Sequence, residues 1–311
     1  MSMWRWALVA LPIATSAFAS LLYRHLVRRR FPPVGQFVDA AGVKLHVEVT
    51  GSGPPVMLIH GAAGVLQDFP NKLREELART HTVIAVDRPG HGYSTHGPRF
   101  LDADANLVAL RAALKALGHD RATLVGHSYG AVLALRWALQ APAEVSAVVA
   151  IAPASAPYAA AAHVGLLPVV TPVIGHVLAW TLLLPIGMLV ARFTRSQAAH
   201  PQPVYSGPPT ASRMFPLVAT QFRAFAENAQ RVHRDVNEQL PLYDQGHAPL
   251  VIVAGEGDKV TPPDIHAIPL PKRWGGPSEL HLIPSAGHML LRSHASEVVA
   301  AVKRADEMIE H

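Results

Sequence analysis

Cysteine is absent from the 311-residue sequence. That excludes disulfides, thiolate nucleophiles and cysteine-ligated metals, and it leaves the redox compartment open. Charge is scarce: 16% of residues are charged against 50% hydrophobic. Disordered chains show the opposite balance, so there is ample material for a core, in one large domain or two ordinary ones. The 18 histidines show no H-x-x-x-H or H-E-x-x-H spacing, which argues against a zinc site. No internal repeat is visible. The formal charge of +5 arises mainly from Arg24, Arg28, Arg29 and Arg30, beside an apolar run. With no separate basic stripe interleaved with aromatics, no nucleic-acid partner is expected, and the basic excess is read as related to a membrane surface.

That apolar run, Trp6 to Tyr23, carries no charge and at roughly 18 residues has the minimum length for a bilayer span. Pro12 is tolerated better in such a helix than in a soluble one, and Trp4, Trp6 and Tyr23 suit the two interfaces. Two readings fit residues 1–30. One is an uncleaved membrane anchor. The other is an export signal with Arg5 as its charged region and Ala17-Phe18-Ala19 as the cleavage site. The basic cluster from Arg24 to Arg30 favours the anchor and places the downstream domain on the cytoplasmic side. A buried amphipathic helix is disfavoured because the run lacks a polar face.

Beyond Pro33 the pattern changes. Gly35–Asp39 and Val43–Val49 flank Ala41-Gly42 as a hairpin. Short, mostly apolar runs follow at Val56–Ile59, Val83–Val86, Thr123–Val125, Val145–Ile151, Leu250–Ala254 and Leu280–Ile283, as expected for strands buried on both faces. Helical periodicity separates them at Asn71–Arg79, Asp102–Leu117, Tyr129–Gln140 and Ser296–Met308, with Ser296 as an expected N-cap. Strand alternating with helix predicts an α/β protein with a mostly parallel sheet covered on both faces. The alternation stops at residues 156–246, an insertion rich in proline. Its first part, Val164–Ala191, has no charged residue. A second membrane span there would place Leu250 and everything after it across the bilayer from Ser128, so a hydrophobic helical cap is expected, with some contact to lipid open. The second part carries a Phe215, Val218, Phe222, Phe225 stripe, read as packing. Residues 31–155 and 247–311 then form the core.

Gly126-His127-Ser128-Tyr129-Gly130 matches G-x-S-x-G between a strand-like and a helix-like run. On that sharp turn a serine hydroxyl points out over the sheet, and close approach of its neighbours requires glycine. A serine needs a base. For a serine so placed the partners follow in the order acid, then histidine. His288, after the last strand, is the expected base, with His294 second. Asp258, past the end of Val251–Ala254, is the expected acid that orients it, with Glu256 as fallback. The oxyanion donors are expected to be the backbone N–H groups of Tyr129 and of Ala62, in the loop His60-Gly61-Ala62-Ala63-Gly64. Asp87, His91, His60 and His127 are read as scaffold near the site.

Together with Asp87-Arg88-Pro89-Gly90-His91-Gly92-Tyr93-Ser94 and Gly287-His288, these motifs resemble, in order, the α/β-hydrolase superfamily, most of all its capped esterase, lipase and C–C hydrolase branch. The resemblance runs from about Val38 to the C-terminus, the insertion excepted. It implies an eight-stranded sheet, a helical cap between strands six and seven, and no cofactor. Serine at 128 departs from the dehalogenase and epoxide-hydrolase branches, which carry aspartate there. The expected activity is hydrolysis of small-molecule carboxylic esters with an apolar part. C–C hydrolysis of ring-cleavage diketones or cofactor-free perhydrolysis would use the same residues, and a membrane-tethered binding protein is a reading from another class.

Overall fold

The apolar runs become strands of one sheet. The computed structural model describes residues 3–97, 101–157, 167–171, 173–189, 200–201 and 210–310. Its strands are β1 (Gln36–Ala40), β2 (Val43–Thr50), β3 (Pro55–Ile59), β4 (Thr82–Val86), β5 (Ala122–His127), β6 (Val145–Ile151), β7 (Leu250–Gly255) and β8 (Ser278–Ile283). They form an eight-stranded sheet in the order β1-β2-β4-β3-β5-β6-β7-β8. Only β2 runs against the others. Strand order reverses at β3, with β4 on one side and β5 on the other, and in open α/β sheets the crevice at such a point takes the ligand.

Successive side chains of a strand point to opposite faces, so each strand serves two cores. Met57, Ile59, Ile84, Val86, Leu124 and Ile252 pack beneath helices α3 (Ala103–Ala116) and α4 (Tyr129–Gln140). Val56, Leu58, Val83, Ala85, Val251 and Val253 pack on the other face against α2 (Asn71–Leu77) and α7 (Ala295–Glu310). Asp102 caps α3, its carboxylate accepting the Ala105 N–H, which satisfies one of the donors orphaned at a helix start. Ser296, expected to cap α7, lies inside its first turn because the helix starts at Ala295, and its hydroxyl bonds Glu297 instead.

Between β6 and β7 the described residues form helices and no strand, chiefly α5 (Ile174–Thr181) and α6 (Ala219–Gln239). Residues 158–166, 172, 190–199 and 202–209 of this insertion lie outside the described residues. Helix α6 buries a polar stripe: Gln221, Glu227, Asn228, Asp235 and Gln239 all face inward. Each bonds a group of the core. Glu227 accepts the Leu101 N–H at 3.0 Å and pairs with His96 at 2.9 Å. Asp235 accepts the Ala103 N–H and the Tyr129 hydroxyl, each at 3.2 Å.

The N-terminal helix α1 (Met3–Arg30) lies along the insertion. Its Ser16 hydroxyl bonds the Thr181 carbonyl, its Tyr23 hydroxyl bonds the Met214 carbonyl at 3.0 Å, and Val27 is fully buried among Val65, Ala211, Phe215 and Val218. A helix packed on the protein is disfavoured by the sequence because the run lacks a polar face; the structure shows that Ser16, Tyr23 and Val27, one or two helical turns apart, nevertheless supply a side that packs on it. Among the described residues no helix is long and apolar enough to cross a membrane, so the expected spanning anchor is not shown.

Burial lifts the Asp235 carboxyl from the ordinary carboxylate value to about 6, against the pull of Arg136. An acid whose folded value is raised binds more protons folded than unfolded, so its contribution to stability falls as pH rises towards 6 and is constant above. Replacing it by the isosteric amide removes this dependence. The stability of Asp235→Asn relative to wild type, measured by urea unfolding, is expected to rise between about pH 4 and pH 6 and then level off.

Candidate active site

Strand β5 ends at His127 and α4 begins at Tyr129, leaving Ser128 alone to make the turn. Its backbone is at φ 55°, ψ −116°, a left-handed region that costs a non-glycine residue about 1–3 kcal/mol. The turn is held there by the Ser128 N–H bonding the Ile151 carbonyl at 2.9 Å, and by the Ala131 N–H bonding the Ser128 carbonyl at 3.0 Å. Both flanking glycines are sterically required. A Cβ on Gly126 would stand 2.3 Å from the Gly130 carbonyl oxygen, and one on Gly130 would stand 2.1 Å from that of Ile59. The serine is thereby raised at the C-terminal edge of the sheet, partly exposed, while its neighbours are buried.

The other two expected residues meet. His288 Nδ1 lies 2.8 Å from Asp258 Oδ2, and both side chains are buried. Burial pushes the Asp258 carboxyl up, but hydrogen bonds from His288 and from Thr261 outweigh it and hold the carboxyl below its ordinary value. It therefore stays ionised at neutral pH. With Nδ1–H donated to that carboxylate, Nε2 is the basic nitrogen of His288. The loop carrying His288 is fixed beside the turn by His127, whose Nε2 lies 2.9 Å from the His288 carbonyl and whose ring centroid is 4.9 Å from that of His288. Burial, reinforced by His288, drives His127 down to about 3, so this second histidine is neutral and acts as a strut. The fallbacks lie elsewhere: Glu256 is exposed, and the His294 ring bonds the Ser293 hydroxyl.

Thr261 was not singled out in the sequence. Its hydroxyl stands 2.8 Å from Asp258 Oδ2 and 3.1 Å from the Ala152 carbonyl, and Asp258 Oδ1 accepts the N–H groups of Val260 and Thr261. The aspartate thus closes a turn on its own backbone while one oxygen serves the histidine. An Asp followed three residues later by Thr is the signal that marks it.

The loop at residues 60–64 follows β3 and lies against the serine: a Cβ built on Gly61 would stand 3.3 Å from that of Ser128. What fixes this loop is a buried arginine. Arg88 is fully buried. It donates Nε–H to the His60 carbonyl at 3.1 Å, Nη2–H to the carbonyls of Gly61 at 2.9 Å and Ala62 at 3.2 Å, and Nη1–H to the side chains of Asn106 at 3.0 Å and Asn228 at 2.7 Å. Burial lowers the guanidinium to about 10, so it remains a cation at neutral pH. Gln221 of α6 holds the next two carbonyls, Ala63 at 3.1 Å and Gly64 at 3.2 Å. The consequence follows from peptide geometry. The C=O of Gly61 and the N–H of Ala62 belong to one planar trans unit and point in opposite directions. The Gly61 carbonyl also accepts from His60 Nδ1 at 2.8 Å and from the Gly64 N–H at 3.1 Å. Three donors on the oxygen leave the Ala62 N–H fixed and aimed the other way. Among the described residues, neither that N–H nor the Tyr129 N–H has an acceptor.

Asp87 and His91 lie behind this loop. Asp87 accepts the N–H groups of Leu66 at 2.8 Å and Tyr93 at 3.0 Å and pairs with His46 at 2.7 Å, and His91 Nε2 reaches the Ala62 carbonyl at 2.7 Å. Burial and Arg88 hold His91 down to about 3. These residues shape the two loops, as the sequence suggested. No group of metal-ligating residues occurs among the described residues.

A family model described as the alpha/beta hydrolase fold matches residues 54–295. Among curated proteins, 2-hydroxy-6-oxo-2,4-heptadienoate hydrolase of Pseudomonas putida is 33% identical over 120 residues, 37% of this chain and 43% of that protein. The pimeloyl-[acyl-carrier protein] methyl ester esterase of Chromobacterium violaceum is 37% identical over 111 residues, 35% of this chain and 41% of the relative. The chain thus matches well under two thirds of the length of these relatives. Among solved structures, a thermophilic esterase from Thermogutta terrifontis superimposes with a TM-score of 0.74 at 20% identity, over 89% of this chain and 100% of the other.

The steric reading of the turn has a direct check. Gly130→Ala is expected to lower the free energy of unfolding by about 3 kcal/mol, because backbone must move to admit the methyl group. Gly118→Ala, at φ +85° with nothing within 4 Å of the new Cβ, is expected to cost about 1 kcal/mol. Urea midpoints of the two variants measure the difference.

Proposed function

Because the chain belongs to the alpha/beta hydrolase fold family, we propose that it is a serine hydrolase that cleaves carboxylic esters of apolar substrates. The observation that carries this reading is the ionised Asp258 bonded to His288 at 2.8 Å, in a loop that His127 ties to the strained turn carrying Ser128. The reading implies the following steps. His288 Nε2 takes the proton of the Ser128 hydroxyl as its oxygen attacks the ester carbonyl carbon. The oxygen of that carbonyl becomes an oxyanion held by the N–H groups of Ala62 and Tyr129. Collapse breaks the C–O bond, and His288 returns the proton to the departing alcohol. Water, deprotonated by the same imidazole, then attacks the acyl-serine and releases the acid. Asp258 holds the tautomer and stabilises the imidazolium. The insertion, uncharged from Val164 to Ala191, acts as an apolar cap that favours an apolar acyl or alcohol group.

Arg88 is a positioning residue in this scheme. It fixes the Gly61–Ala62 peptide, so the N–H of Ala62 is oriented before the oxyanion forms, and the positive charge on the carbonyl side makes that N–H a better donor. Arg88→Lys keeps the charge and loses the fork. It is expected to lower kcat about tenfold with little change in KM, because the oxyanion donor acts only in the transition state.

A second reading, C–C hydrolysis of a ring-cleavage diketone, is favoured by the similarity to 2-hydroxy-6-oxo-2,4-heptadienoate hydrolase. Hydrolysis of p-nitrophenyl esters of increasing chain length by the full-length protein, beside a vinylogous diketone, separates the two. Ester turnover is expected, with Ser128→Ala lowering it by about 10⁴-fold or more. Near wild-type turnover in that variant refutes the mechanism. Turnover of the diketone alone moves the assignment to C–C substrates.

A further inference from the structure

Helix α1 is amphipathic in reverse. Ser16, Ser20, Tyr23 and Val27, spaced by one helical turn, face the protein. The opposite face presents Leu11 at 69% exposure, Phe18 at 68% and Leu22 at 47%. A helix on the surface of a water-soluble domain buries its bulky apolar stripe and shows its polar one to water. The helix that α1 packs against repeats the inversion: α5 buries Gly175, Ala179 and Thr181 and exposes Ile174 at 61% and Val177 at 50%. The stretch that follows exposes Ile186, Met188 and Leu189. Small residues between helices and large apolar ones outside is the packing rule of a lipid environment, where apolar surface has no reason to be buried.

The charges agree. Residues 11–23 of α1 and 164–191 of the insertion include no Asp, Glu, Lys or Arg. At the C-terminal end of α1, Arg24, Arg28, Arg29 and Arg30 form a basic collar. Arg24 stands 6.0 Å from the ring centre of Trp180, and Arg28 stands 5.1 Å from that of Tyr93. Apolar surface bordered by basic and aromatic side chains matches the order from acyl chains to anionic headgroups. From Ser16 to Val27 the helix is bonded to the protein along one side, so it does not cross a bilayer alone and free of the domain.

We propose that the outer faces of α1 and α5 form one lipid-docking surface, seated in the interface of a membrane containing anionic lipid, with the arginine collar at headgroup level. The occupant is a lipid surface rather than a second copy of the chain, because a protein partner offers no reason for the small-inside, large-outside packing between α1 and α5. This inference is independent of the reaction proposed above, and binding is read without turnover.

The test is flotation of the purified full-length protein with vesicles of phosphatidylcholine, alone or with phosphatidylglycerol, together with Phe18→Glu, Ile174→Glu and the double variant Arg29→Gln/Arg30→Gln. Circular dichroism and urea unfolding check that each is folded. Each glutamate variant is expected to weaken binding by about tenfold or more, since each removes an exposed apolar side chain that docking would bury in lipid. The double arginine variant is expected to weaken binding by about tenfold on phosphatidylglycerol vesicles and to leave binding to phosphatidylcholine unchanged. Three results would overturn the proposal. One is no binding of the wild type to either vesicle. Another is loss of binding with Phe18→Glu but not with Ile174→Glu, which would leave α1 as a simple tether. The third is a lipid-free dimer in sedimentation that both glutamate variants dissociate, with vesicle binding unaltered, which would assign the face to a second copy.

Discussion

A guanidinium with only neutral acceptors sits at the centre of the protein. Arg88 bonds three successive carbonyls of the loop after β3 and two asparagine side chains, one on α3 and one on α6. A buried cation is costly unless its hydrogen bonds are made, and here they reach from the sheet edge to the insertion. Removing any of these acceptors leaves an unsatisfied donor in a dry place, so loop, α3 and insertion are locked by one requirement. The orientation of the Ala62 N–H is a by-product of that requirement, because the peptide is rigid and its carbonyl is the end being held.

Helix α6 extends the same logic. Its buried face sets polar side chains among alanines and Val236, where an ordinary amphipathic helix would be wholly apolar, and each of those polar side chains makes at least one bond. Gln221 holds the carbonyls of Ala63 and Gly64 and accepts the Gly92 N–H at 2.9 Å. Asn228 meets Arg88, and Asp235 meets the hydroxyl of Tyr129, whose backbone N–H is the second oxyanion donor of the proposed mechanism. Directional bonds specify one docking position, whereas apolar contact alone tolerates sliding. The insertion is thereby held to both donors from behind.

The parts legible in the sequence are those set by local rules. Continuous apolar runs announced the strands, because a strand covered on both faces has no polar side to show. Gly126 to Gly130 announced the turn, because backbone atoms close to about 2 Å of any added Cβ there. Asp258 and His288 were placed by chain order relative to strands and meet as expected. What remained hidden depends on partners distant in sequence. Arg88 stood in plain view within a turn motif, but nothing local says that a charged residue there will be fully buried. Gln221, Asn228 and Asp235 lie in a segment read only for its phenylalanine stripe. The inward face of α1 was missed because serine in an apolar run reads as neutral filler and Tyr23 read as an interface residue, until Thr181 and Met214 arrive to bond them.

The two ends of the molecule are joined through Asp87. Its carboxylate accepts the N–H of Leu66, next to the loop that orients Ala62, and the N–H of Tyr93. The Tyr93 hydroxyl in turn bonds the carbonyls of Arg28 and Phe31 at the end of α1. Val27 of α1 packs directly on Val65. Every link is buried or half-buried and satisfied, so α1 and the loop behind the serine move together or not at all. A helix that meets lipid with its outer face would then hold the edge of the sheet that bears Ser128 at a fixed height above the acyl chains. The polar stripe that bonds α6 to the core and the apolar face turned outward on α1 and α5 are two halves of one arrangement: hydrogen bonds add to the packing of Phe215, Val218 and Leu183 in holding the insertion, while Ile174, Val177, Ile186, Met188 and Leu189 stay on the outside.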